Sequence, residues 1–128
     1  MHRVLVIDDD GLFREMVKAG LEEAGFEVAE APDGKSGVDA FRAGSFDLVI
    51  VDMYMPGQDG IDTIFDMDAG AKGIPVIAVT GGHRMGNESL RLAESAGATL
   101  TMEKEFSQEQ LVAAVKKLIE EKPEADVV

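Results

Sequence analysis

Apolar positions along the chain follow two alternating patterns, and together they predict its elements. Arg3-Val4-Leu5-Val6-Ile7 is a continuous apolar run of strand length. Phe13, Met16, Val17, Leu21 and Ala24 then recur at the spacing of one helical face, and Gly25 ends that helix. A second strand is expected over 26–30 and its helix over 34–41, with Gly44 as a breaker before a third strand, 47–51. Pro56-Gly57 is a turn, and a weaker helix around Ile61, Ile64 and Phe65 stops among Gly70 and Gly73. The fourth strand, 76–79, follows Pro75, a residue tolerated where a strand starts. Beyond the open Gly81-Gly82 loop come a helix over 87–95 and a short strand over 98–102. A last helix over 108–121 buries Leu111, Val112, Val115, Leu118 and Ile119. Residues 122–128 read as a frayed C-terminal tail, which leaves 1–121 as one domain.

Strand and helix thus alternate as βα units, the mark of an α/β fold with a parallel sheet. Right-handed crossovers restrict its topology, and five such units most simply make a flavodoxin-like, doubly wound, five-stranded sheet of order 2-1-3-4-5 with five helices.

Composition narrows the partners. The 128 residues contain no cysteine, so thiolate metal sites and disulfides are excluded. No apolar run reaches the length of a membrane span and no signal-peptide pattern opens the chain, so a cytoplasmic protein with no membrane attachment is expected. A net charge of -13 argues against direct nucleic-acid binding, which relies on clustered Lys and Arg. His2 and His83 have no ligand spacing, with His83 read as an exposed loop residue, and the seven methionines read as core filler.

The topology gathers one set of polar residues. Ligands of open α/β sheets bind beyond the carboxyl ends of the strands where the order reverses, between strands one and three. Asp8 and Asp9 follow the first strand and Asp52 follows the third. Three converging carboxylates repel one another unless a cation joins them, and Mg²⁺ (or Mn²⁺), a hard ion that also binds phosphate oxygens, suits them. Asp10, just ahead of the helical face, reads instead as a helix cap.

These stretches resemble the receiver domain of bacterial response regulators: "VLVIDDD" with its acidic pair, "DLVIVDMYMPGQDG" with a strand-end aspartate and Met-Pro-Gly turn, "VIAVTGG" with a hydroxyl, and "GATLTMEKEF" with a lysine. The resemblance covers nearly the whole chain. It implies that Asp52 accepts a phosphoryl group from a sensor histidine kinase or a phosphotransfer protein. It further implies that Asp8, Asp9, Asp52 and the Tyr54 backbone carbonyl hold the metal ion, and that Thr80 and Lys104 contact the phosphoryl group. Output would pass to a downstream protein target, since no effector domain follows.

Three departures qualify it. Glu105 follows Lys104 where many members have a proline joined by a cis bond; before a non-proline residue such a bond costs about 3 kcal/mol, so the sequence does not fix whether Lys104 keeps the family geometry. Thr101 stands where members usually carry an aromatic, so the switch position is altered and activation is expected to work through the loop 81–86 instead. Tyr54 is bulky beside the phosphoryl position and reads as an access gate. Two alternatives stay open: a degenerate receiver acting as a phosphorylation-independent interaction module, and a metal-dependent phosphohydrolase, although Tyr54 occupies the place where the haloacid-dehalogenase pattern has a second acid. A flavodoxin-type carrier is excluded because the three aspartates would repel a flavin phosphate.

Overall fold

The structure, a computed structural model, describes residues 1–55, 59–81 and 87–121, the side chains of residues 71 and 87–90 excepted. Along them run β1 (Arg3–Ile7), α1 (Gly11–Glu23), β2 (Glu27–Ala31), α2 (Gly34–Ala43), β3 (Leu48–Asp52), α3 (Gly60–Met67), β4 (Val76–Thr80), α4 (Asn87–Ala96), β5 (Leu100–Glu103) and α5 (Gln108–Glu121). A 3₁₀ turn, Ala69–Lys72, joins α3 to β4. The strands form one sheet in the order β2-β1-β3-β4-β5, with every neighbouring pair parallel, as the alternation required. The Pro56-Gly57 turn, residues 82–86 with His83, and the tail 122–128 lie outside the described residues.

The central strands β1, β3 and β4 are covered on both faces, which explains why they read as unbroken apolar runs. Successive side chains enter opposite layers. Leu5, Ile7, Val49 and Val51 pack with Val38, Phe41, Ile64 and Ala93 from α2, α3 and α4. Val4, Val6, Ile50 and Val79 pack with Phe13, Val17, Leu21, Leu111 and Val115 from α1 and α5. Among the described residues, no helix is long and apolar enough to cross a membrane.

Several boundaries differ from the sequence expectation. The second strand starts at Glu27, because the Phe26 N–H donates to the Leu21 carbonyl (2.9 Å) and its ring is buried beneath α1. The third runs one residue further and takes Asp52 into the sheet, registered against Val79. The fifth begins at Leu100, since the Ala98 N–H instead donates to Ala93 O (2.9 Å) and closes α4. Phe65, read with the apolar face of its helix, is 72% exposed; adjacent helical residues point about 100° apart, and Ile64 takes the inward place. Met53, Met55 and Met67 fill core space as expected, whereas Met1 is exposed.

Candidate functional site

Four strand ends deliver the polar residues. Asp8 follows β1, Asp52 ends β3, Thr80 ends β4 and Lys104 follows β5. Carboxylate oxygens of Asp8, Asp9 and Asp52 all lie within 4.8 Å of one another. Asp8 and Asp52 are buried, and Asp9 is exposed.

Asp8 is restrained from several directions. Its N–H donates to Ala31 O (3.1 Å), its Oδ1 accepts from the Asp10 N–H (2.9 Å), and its carbonyl accepts from Arg14 Nη1 (2.6 Å). Asp10 itself caps α1, accepting from the N–H groups of Leu12 (3.0 Å) and Phe13 (3.2 Å), so the helix starts immediately beyond the acidic pair. Arg14 also donates from Nε to Glu30 Oε1 (3.2 Å), tying the acidic turn to the end of β2. No motif pointed to Arg14, because its partners belong to β2 and to a backbone carbonyl.

Lys104 reaches the two buried carboxylates. No cis peptide bond occurs among the described residues, and Glu105 does follow the lysine, yet its Nζ lies 2.8 Å from Asp8 Oδ2 and 3.5 Å from Asp52 Oδ2. Its backbone N–H donates to Thr80 O (2.7 Å), which extends the β4–β5 pairing one residue past the strand and aims the side chain inward. Thr80 is 3% exposed, and its Oγ1 has no hydrogen-bond partner. Tyr54 is half-buried and donates its N–H to Asp52 Oδ1 (3.2 Å). Thr101 is half-buried in β5 opposite Ala78.

Burial, reinforced by the Asp8 charge, pushes the Asp52 carboxyl up to about 6, while the Tyr54 N–H and Lys104 pull the other way. Burial also raises Asp8, against the opposing pull of Lys104 and the Asp10 N–H. Burial disfavours the Lys104 ammonium, but Asp8 and Asp52 outweigh it and hold its pKa above the ordinary lysine value. Asp8 Oδ2 is charge-paired with this ammonium without an aligned hydrogen bond, so a buried carboxylate oxygen still lacks a directed partner. An oxygen-only donor set with such an orphan fits a hard divalent cation.

Strand order, acidic triad, buried hydroxyl and lysine define a signalling receiver, and the chain belongs to that family: residues 4–116 match the response regulator receiver domain. Receiver domains serve phosphorylation-dependent signalling in two-component systems. The chain is 36% identical over 123 residues to the chemotaxis protein CheY of Bacillus subtilis, covering 92% of this chain and 98% of that protein. It is 34% identical over 116 residues to the transcriptional regulatory protein CseB of Streptomyces avermitilis, covering 91% of this chain but 48% of the relative, so it spans about half the length of that regulator. Among solved structures, the chemotaxis protein CheY4 of Vibrio cholerae superposes with a TM-score of 0.85 at 28% identity, covering 92% and 98% of the two chains. A receiver domain protein from Methanospirillum hungatei gives 0.89 at 25% identity, covering 95% and 96%.

Proposed function

We propose that this chain is a phosphorylation-activated switch in which Asp52 accepts a phosphoryl group from a sensor histidine kinase or phosphotransfer protein. The observation that carries this reading is the position of Asp52: buried, at a strand end, with Asp8, Asp9 and Lys104 around it. An Asp52 oxygen attacks phosphorus in line; the P–O bond forms as the P–N bond to the donor histidine breaks, and the imidazole leaves with the electron pair. Asp8, Asp9, Asp52 and the Tyr54 carbonyl would hold Mg²⁺ (or Mn²⁺), which neutralises charge on the transferred oxygens when bound. Lys104 supplies a fixed positive charge to the phosphoryl group, and the unpartnered Thr80 hydroxyl donates to one of its oxygens. The Tyr54 side chain borders the entry and gates it.

In this reading residues 1–121 are the receiver unit and 122–128 a short tail, working in the cytoplasm, and the new charge is read by a downstream protein. The interaction-module alternative drew on the missing proline after Lys104; the contacts of Lys104 with both carboxylates favour phosphoacceptance instead. Acetyl phosphate with Mg²⁺ is expected to add one phosphoryl group by intact mass, and none to Asp52→Asn or after chelation. Equal labelling of wild type and Asp52→Asn would overturn the assignment.

A further inference from the structure

Lys104 must hold a flexible four-carbon side chain in one place, and its two anionic neighbours do not fully explain how. The Asp8 contact has no aligned hydrogen bond, and the Asp52 contact, at 3.5 Å, is long for one. Ordering such a side chain costs rotamer entropy, which a further restraint offsets. The ring of Phe13 provides one: Lys104 Nζ lies 4.5 Å from its centroid, inside the range in which an aromatic face attracts a cation. The lysine side chain is only 21% exposed, and the attraction is stronger where water is excluded.

Phe13 is itself fixed. It sits in the first turn of α1, its N–H accepted by the capping Asp10, and it is 7% exposed. Phe106 packs against it at 5.9 Å between centroids and a tilt of 59°. Phe106 stands two residues beyond Lys104, and its N–H donates to Glu103 O (3.3 Å). The segment 103–106 therefore turns around one ring, with the ammonium over its face and a second aromatic against it.

We propose that Phe13 is a positioning residue of the phosphoryl site, its ring face fixing the Lys104 ammonium between Asp8 and Asp52. This rests on the reading of Lys104 as the phosphoryl partner. A group arriving on Asp52 then meets a positive charge already in place, which is electrostatic preorganisation supplied by an uncharged side chain.

The test replaces Phe13 in the full chain by phenylalanines bearing one, two and three ring fluorines, which drain the negative ring face at nearly constant size. Labelling by acetyl phosphate with Mg²⁺ should slow stepwise, by roughly 3- to 10-fold at three fluorines. Thermal midpoints should stay level across the series. In the metal-free protein, the ε-methylene protons of Lys104 should be shifted upfield by the ring current, and Phe13→Leu should return them to ordinary lysine positions. Lys104→Met should slow labelling and flatten the fluorine series. A flat series in the wild-type background, or Lys104 signals unaffected by Phe13→Leu, overturns the role of Phe13 while leaving Lys104 in place. Labelling of Lys104→Met at the wild-type rate would instead overturn the underlying reading of the lysine.

Discussion

Asp52 raised to about 6 has a consequence for stability whose sign follows from its protons. An unfolded aspartate releases its proton near pH 4, whereas folded Asp52 without a metal ion keeps it to about pH 6. Between those values the folded state binds more protons than the unfolded state, so stability falls as pH rises through the window. In chelator, Asp52→Asn should therefore be more stable than wild type at pH 7, by on the order of 1–3 kcal/mol, and the advantage should shrink towards pH 4. Saturating Mg²⁺ should narrow it by stabilising the wild type. Thermal midpoints that run parallel from pH 4 to 7 would contradict this. At this scale Asp8, Asp9 and Asp52 were legible as a group, because each follows an apolar strand that the topology brings to one edge, while Thr80 and Lys104 were picked out only through the family resemblance. Arg14 and Phe13 were not, since what they do depends on partners in other elements, Glu30 and the Asp8 carbonyl for one and Lys104 for the other.

The junction of β3 with α3 fixes where the acceptor stands. Gly60, the first residue of α3, lies so close to the end of β3 that an added Cβ would fall on the Asp52 carbonyl oxygen and the Met53 Cα, both backbone atoms with little room to yield. Gly60→Ala should therefore push the helix off the strand, destabilise by roughly 1–3 kcal/mol and slow acetyl phosphate labelling by displacing Asp52. Gly70→Ala is the control, because a Cβ there meets nothing within 4 Å. Chemical denaturation and labelling rates check both, and an unimpaired Gly60→Ala would show that this contact does not set the acceptor position. Element order and type were readable from periodicity, whereas ends were set by particular hydrogen bonds. The Phe26 N–H turned back to α1, and the Ala98 N–H closed α4, neither of which a hydrophobic pattern encodes.

Across the whole molecule, a parallel sheet buried on both faces leaves its carboxyl edge as the place where charge collects. A protein of net charge -13 places three of its carboxylates within 4.8 Å of one another there, a crowding relieved in part by Lys104 and suited to a cation. In the proposed reading, phosphorylation would add up to about two negative charges to that edge, where Thr101 offers no aromatic to turn inward. Topology was legible because crossover handedness leaves few ways to order five βα units, and that order brings Asp8, Asp9 and Asp52 to one edge. In the reading proposed above, this edge is a phosphoacceptor with Asp52 as the acceptor. The most direct test of that reading is borohydride reduction of the acetyl phosphate-treated protein, which converts an aspartyl phosphate to homoserine and leaves free carboxylates unchanged, followed by peptide mass mapping. Homoserine is expected at position 52, dependent on Mg²⁺; modification at another aspartate, with position 52 intact, would overturn the assignment.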